Sequence, residues 1–162
     1  MVSLPRAHVG QVIGLLEVLE DFGGRVDVAK VADDLMLNLD ELLPVVEAAE
    51  LLGFLKVDSG DIILTDEGKK FLAEGSSGRK KMLNQLVANL GTYKAVLHYI
   101  SSHNGEVSKD DLLNFLRTKI SDEDAETTYN WLVEWGRHSL LLRYDSNAGK
   151  IKIQKRRRPP ET

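Results

Sequence analysis

The sequence predicts a mainly α-helical protein with small β-hairpins, an α+β fold made of two tandem modules. Three observations support this prediction. Apolar residues recur at helical spacing along most of the 162 residues. Two pairs of β-prone segments are each joined by turn residues. The order of helices and hairpin in the first half recurs in the second half, as expected for two divergent copies of one module.

The first two helices precede residue 36. Apolar residues follow i, i+3, i+4 spacing over residues 8–22, which predicts an amphipathic helix, and Gly23 and Gly24 end it. Residues 26–28 suit either a very short strand or the lead into a helix. A second short helix is then expected to follow, with its apolar face formed by residues 28–35.

The third helix leads into a hairpin. Asn38 and Glu41 have the spacing of a capping box, and Gly53 ends the helix that they start. Residues 54–64 read as two strands around a turn, and Thr65 can cap a fourth helix. A helix-turn-helix followed by a β-wing is a winged helix, so we predict this architecture for the first module.

The second half repeats this order. A connecting helix is predicted around residues 83–90, and a second wing joins residues 140–144 to residues 150–154. Between them, helix starts are predicted at Thr92, Ser108 and Ser121, the last together with Asp124, and a helix end at Gly136. The complete fold is therefore predicted to be a pair of tandem winged-helix modules.

These elements divide the chain into four parts. They are a first winged-helix module (4–75), a linker and connecting helix (76–91), a second winged-helix module (92–154) and a basic tail (155–162). Ser76-Ser77-Gly78 has the composition of a linker. The tail, KRRRPPET, is too charged and too rich in proline to pack, so we expect it to be disordered.

Charge is distributed unequally along the chain, whose net charge is −4. Residues 1–77 contain six Lys/Arg and 15 Asp/Glu, whereas residues 78–154 contain 11 and nine. The two modules are therefore expected to present different surfaces. No apolar run approaches the roughly 20 residues of a membrane span. Because the sequence also has no Cys and no signal-peptide pattern, we expect a cytoplasmic protein.

The residues form no pattern typical of an active site. Gly68-Lys69-Lys70 lacks the spacing and the terminal Ser/Thr of a phosphate-binding loop. His98 and His103 are five residues apart, which points them to different sides of a helix and does not suit a metal pair. Acidic clusters lie at predicted helix starts, where they assist capping. We therefore predict no enzymatic activity, no cofactor and no metal.

Winged helices usually bind DNA by placing their third helix in the major groove. Such a helix needs Lys or Arg because phosphate neutralisation supplies most of the affinity. Neither 39–53 nor 121–136 contains one, so we expect no specific nucleic-acid binding. The second wing and the tail are either a solvated basic end or a weak contact for nucleic acid or another anion. Their cations are Arg143, Lys150, Lys152, Lys155, Arg156, Arg157 and Arg158.

Two tryptophans mark a candidate protein interface. Trp131 and Trp135 are four residues apart and share one helix face. Either both belong to the core, or one is partly exposed at a contact surface. Arg137 and His138 follow them and complete the candidate interface. The charge of Arg137 either meets the C-terminal carbonyls of its own helix, or Arg137 and an exposed Trp135 pin the second module to the first module or to a partner.

Several long segments resemble one known family. They are VGxxIGLLE (9–17), the Gly23-Gly24 pair, DELLPVVEAAELLGF (40–54), DIxLTxxG (61–68) and EWGRHSLLLRYD (134–145). Over roughly residues 4–154 the chain is similar to the AAA-associated C-terminal domain. That domain follows the ATPase domain in ATP-binding subunits of nitrate/sulfonate/bicarbonate-type ABC transporters.

The resemblance implies an accessory or regulatory module. The chain has no Walker A motif and no ABC signature, so it is either an excised C-terminal region or a stand-alone homologue. ATP hydrolysis would belong to a separate domain. The implied partner is an ABC transporter ATPase subunit or a second copy of this chain, with any membrane contact made through the transporter. The alternative is a winged-helix DNA-binding transcription regulator, which rests on the fold alone.

Overall fold

The computed structural model describes residues 3–120 and 124–154, which form eight helices and six short strands. The helices are α1 (Val9–Asp21), α2 (Val28–Leu35), α3 (Leu39–Leu51), α4 (Asp66–Ala73), α5 (Ser76–Ala88), α6 (Gly91–Ser101), α7 (Lys109–Lys119) and α8 (Ala125–His138). The strands are β1 (Arg25–Asp27), β2 (Leu55–Asp58), β3 (Asp61–Leu64), β4 (Glu106–Ser108), β5 (Leu142–Asp145) and β6 (Lys150–Ile153). In this part of the chain, no helix has both the length and the apolar character that crossing a bilayer requires.

The strands form two three-stranded antiparallel sheets, in the orders β1-β3-β2 and β4-β6-β5. The predicted α+β fold with two winged-helix modules is therefore confirmed. The sequence left β1 as one of two alternatives and did not predict β4. Each of these edge strands is three residues long and buries one side chain, Val26 or Val107, so neither contains a periodic pattern.

Matching backbone hydrogen bonds connect each wing to its helices. In the first module the amides of Leu64, Thr65 and Phe54 donate to the carbonyl oxygens of Gly24, Phe54 and Ala49. In the second, the amides of Ile153, Gln154 and Leu141 donate to those of Gly105, Leu141 and Gly136. This correspondence aligns the third helices, so that Glu134 and Trp135 of α8 occupy the positions of Glu47 and Ala48 of α3.

Helix α4 closes the first module by packing against α1 and the end of the wing. The Thr65 hydroxyl accepts a 3.1 Å hydrogen bond from the Gly68 amide, as predicted for a cap, and donates a 2.6 Å bond to the Gly53 carbonyl. The Phe71 ring is buried 4.6 Å from the Phe54 ring. A Cβ at Gly68 would lie 2.2 Å from the Phe54 carbonyl oxygen, so the contact leaves no room for a side chain.

Three boundaries differ from the sequence-based prediction. Ser76-Ser77-Gly78, interpreted as a linker, forms the first turn of α5, which packs against α4, α6 and α8. Helix α6 has Leu90 as its N-cap instead of Thr92, which is buried. Helix α8 continues past Gly136 to His138. In each case tertiary packing overrides the weak local preferences of Ser, Thr and Gly.

Candidate functional site

Trp135 joins the two modules and is fully buried. Its indole N–H donates a 2.9 Å hydrogen bond to the carbonyl oxygen of Ala7, in the segment before α1. The expectation that Trp135 is exposed at a contact surface is therefore wrong, and the core alternative is correct for this residue. The cause is a contact between positions 128 residues apart, which helical periodicity cannot indicate.

Glu134, which the sequence did not single out as a site residue, is the polar centre of the same junction. Its Oε2 accepts a 2.9 Å hydrogen bond from the Val9 amide, and its Oε1 lies 2.7 Å from His8 Nδ1. The Glu134 carboxylate pairs the Val9 amide, which has no partner within α1, and meets the positive end of the helix dipole. Trp131 is half-buried, with its ring centroid 4.9 Å from that of His8. The sequence contains one indication of the role of Glu134. A carboxylate near the C-terminus of its own helix is unfavourable, so its presence there indicates a contact with another segment.

Arg137 and His138 occupy the last turn of α8 and are exposed. With Lys80 and Asn130 they line a shallow groove of about 530 Å³. Arg137 lies where its charge favours the C-terminal carbonyls of α8. Neither residue takes part in the contact that joins the modules, which is made by Glu134 and Trp135 instead.

The outward face of α3 combines exposed apolar and acidic side chains. Leu42, Val45, Val46 and Ala49 face the core, which leaves the opposite side of the helix to solvent. The exposed apolar residues are Leu39, Leu43 and Leu51, at 48%, 45% and 39% of their full exposure. Exposed carboxylates at Asp40, Glu47 and Glu50 share this side. We call these six residues the α3 face.

Met36 adjoins the α3 face and is 91% exposed. It follows α2 with φ at 57°, in the left-handed region that favours glycine. A long apolar side chain in that conformation is held out into solvent by the turn between α2 and α3. A further exposed apolar side chain therefore precedes the start of α3 in sequence.

The cations of the second wing differ in how they are engaged. Lys152 Nζ lies 3.1 Å from a carboxylate oxygen of Asp145 and 3.3 Å from one of Glu106. Hydrogen bonds that Lys152 donates to these carboxylates raise the pKa of Lys152, and the bond to Asp145 lowers the pKa of that carboxyl. Arg143 is exposed, Lys150 is half-buried, and neither has an ion pair with a described carboxylate. Lys155, Arg156, Arg157 and Arg158 lie outside the described residues.

An open cleft of about 1760 Å³ separates α5 from the second sheet. Its basic side chains are Lys80 and Lys81 of α5 and Arg143 and Lys152 of the wing, and we call it the basic cleft. The sequence indicated the two wing cations. It missed the two lysines because they belong to a helix that was expected only to connect the modules.

Family comparison identifies the fold that carries these surfaces. The family model of the C-terminal AAA-associated domain matches residues 29–145. The chain belongs to this family. The match extends from α2 into β5, so this AAA-associated domain includes the third helices of both modules. No curated protein and no solved structure matches the chain significantly.

Proposed function

We propose that this AAA-associated domain is a non-catalytic accessory module that acts through protein contact, with the α3 face as its contact surface. The proposed partner is the ATP-binding subunit of an ABC transporter of the nitrate/sulfonate/bicarbonate type. The observation that carries the proposal is the exposed apolar stripe of α3 among three carboxylates. Localisation would then be cytoplasmic, with membrane contact only through the transporter.

The chemistry of the α3 face favours a protein partner. Leu39, Leu43 and Leu51 are each about half exposed. Covering them would contribute about 1 kcal/mol each by burial of apolar surface. The carboxylates around them repel nucleic-acid phosphates but can pair with Lys or Arg of a protein at the rim of an interface.

Family membership supports the same surface. The segment DELLPVVEAAELLGF (40–54), which carries much of the resemblance to transporter subunits, contains nearly all of α3. Five of the six residues of the α3 face therefore fall inside the resembled segment. The transporter type is inferred from that resemblance.

The proposal is tested by measuring binding to the purified ATP-binding subunit encoded nearest to this chain in its genome. We expect the double substitution Leu39→Glu and Leu43→Glu to weaken binding by about tenfold or more, because both leucines would lie at the centre of the contact. Tyr144→Glu is a matched control, since Tyr144 is 48% exposed on the second wing. No binding by the unmodified chain, or equal losses in both variants, would contradict the proposal. Sedimentation velocity on the same variants tests self-association, the second partner suggested by the sequence.

The alternative, a DNA-binding regulator, has the winged-helix architecture and the second-wing cations in its favour. We expect no duplex binding tighter than about 1 μM at near-physiological salt, because the α3 face lacks cations. Fluorescence polarisation with genomic fragments measures this affinity. Submicromolar binding that survives deletion of residues 155–162 would favour the regulator, whereas binding lost with the tail or with added salt indicates a non-specific contact.

A further inference from the structure

The basic cleft lies in the second module where α4 lies in the first. In the first module, Thr65 and Gly68 contact Gly53, Phe54 and Leu64, and the Lys69 side chain passes near Gly24. The backbone hydrogen-bond correspondence places Gly105, Leu140, Leu141 and Ile153 at the positions of Gly24, Gly53, Phe54 and Leu64. Three of these counterparts, Gly105, Leu140 and Ile153, line the basic cleft. No described helix follows β6, so among the described residues the second wing has no counterpart of α4, and α5 forms the opposite wall of the cleft.

The lining of the cleft includes two apolar side chains, Leu140 and Ile153, and four cations. Ile153 is half-buried, whereas its counterpart Leu64 is buried beside Gly68 of α4, and Leu140 is 40% exposed. The lysine ammonium groups of Lys80 and Lys81 and the guanidinium of Arg143 form no ion pair with a described carboxylate. The acidic side chain that lines the cleft is Glu106, and it already pairs with Lys152. The surface therefore combines two apolar side chains with three cations that no described carboxylate neutralises.

We propose that the basic cleft binds a short, acidic, amphipathic helix of a partner protein, seated as α4 is seated in the first module. The apolar side of that helix would cover Leu140 and Ile153, and its carboxylates would pair with Lys80, Lys81 and Arg143. Helix α4 defines the required size, because eight residues close the first wing. Its own sequence, DEGKKFLA, provides the apolar pair Phe71 and Leu72.

The residues that follow Gln154 have the wrong chemistry for this seat. They read KRRRPPET, with four cations that match the sign of the cleft. Pro159 and Pro160 also oppose continuation of a helix. Gln154 itself stands where the first module has Thr65, the residue that caps α4. Residues 155–162 are therefore not the proposed occupant, which we place on a partner protein. This inference concerns a different surface from the α3 face and can fail independently of the proposed function.

The probe is a fluorescein-labelled peptide, TDEGEEFLAE, which is residues 65–74 with Lys69 and Lys70 replaced by Glu. We expect saturable one-to-one binding to the full chain by fluorescence polarisation in about 0.15 M salt, where surface charges are moderately screened. The double substitution Lys80→Glu and Lys81→Glu should weaken binding by about tenfold or more. The control is Lys69→Glu with Lys70→Glu in the protein, two adjacent exposed lysines on α4 that should leave binding unchanged.

Two further measurements separate helix docking from general charge attraction. A peptide of identical composition with its apolar residues scattered should bind about tenfold more weakly, because it presents no apolar face. Leu140→Asn should reduce binding severalfold while keeping the fold, since Asn tolerates the positive φ of 61° at this position. Circular dichroism of each protein variant checks that it is folded.

The proposal is overturned by absence of peptide binding, by equal affinity for the scrambled peptide, or by loss of binding on deletion of residues 155–162. It is also overturned if an oligonucleotide of equal charge binds more tightly and displaces the peptide, because the cleft would then be a polyanion site. Retention of binding in the deletion variant, with loss in the Lys80 and Lys81 variant, supports it.

Discussion

The third helices of the two modules occupy equivalent positions but meet different surroundings. Glu47 of α3 points into solvent, whereas its counterpart Glu134 of α8 binds the Val9 amide. The neighbouring residue is Ala48 in the first module and Trp135 in the second. The position used in other winged helices to meet DNA is thus an internal joint in the second module and a free surface in the first. The same fold therefore gives equivalent positions of the two copies different surroundings.

The wings repeat this contrast in their ion pairs. Arg25 of edge strand β1 pairs with Asp61 of central strand β3 at 2.9 Å. In the second sheet the signs are reversed, since Glu106 lies on edge strand β4 and Lys152 on central strand β6. The cross-strand attraction is kept while the central strand changes from acidic to basic. This exchange contributes to the basic cleft beside the second wing.

The largest loss of stability is expected from a substitution that removes the contact between the modules. Trp135→Ala deletes a fully buried indole and its hydrogen bond to Ala7, so we expect a loss of about 3–5 kcal/mol in the free energy of unfolding. Urea denaturation followed by circular dichroism measures it. Trp131→Ala is the control, because Trp131 is only half-buried and should cost clearly less. An equal or larger loss of stability in Trp131→Ala would contradict the assignment of Trp135 as the tryptophan that joins the modules.

Glycine substitutions sharpen the comparison of the two wings. A Cβ at Gly68 meets the Phe54 carbonyl oxygen at 2.2 Å, whereas a Cβ at Gly136 meets the Leu142 side chain at 2.6 Å. Backbone yields less than a side chain, so we expect about 3 kcal/mol for Gly68→Ala and about 1–2 kcal/mol for Gly136→Ala. Thermal unfolding ranks the two.

Gly14→Ala in α1 is the control for these substitutions. An added Cβ there has no neighbour within 4 Å, so the change should stabilise the helix by up to about 1 kcal/mol. If all three variants lose similar stability, the loss results from replacing glycine itself and not from the packing of the wings.

A smaller effect is expected at the equivalent glutamates. Glu134→Gln removes the charge that meets the first turn of α1, and should cost about 0.5–2 kcal/mol. Glu47→Gln is the matched control on α3 and should be nearly neutral. Amide hydrogen exchange at Val9 should accelerate only in the Glu134 variant. Faster exchange in both variants would refute the asymmetry between the third helices.

The smallest effect is an acid dependence of the second wing. The bond from Lys152 lowers the pKa of Asp145, so the ionised carboxylate stabilises the folded state above its unfolded pKa. That contribution is lost as pH falls through the lower folded pKa, in a window below about pH 4. Urea midpoints measured across this range should fall less steeply in Asp145→Asn than in the unmodified chain. Parallel curves would exclude this carboxylate as the cause.

Local sequence determined the elements whose stabilising contacts lie within a few residues. The Asn38–Glu41 capping box and the Thr65 cap both form as predicted, because each joins groups three residues apart. Both hairpins likewise follow from turn chemistry between β-prone segments. The acidic, cation-free character of α3 is a matter of composition and also needed no tertiary information.

Tertiary structure decided the features that join distant segments. The burial of Trp135 and the role of Glu134 depend on contacts 125 to 128 residues apart in sequence. Helical periodicity shows which residues share a face, but not which segment covers that face. The basic cleft has the same origin, because Lys80 and Arg143 become neighbours only when α5 packs beside the second wing. Sequence therefore determined the two modules, and long-range packing determined which of their surfaces remained free.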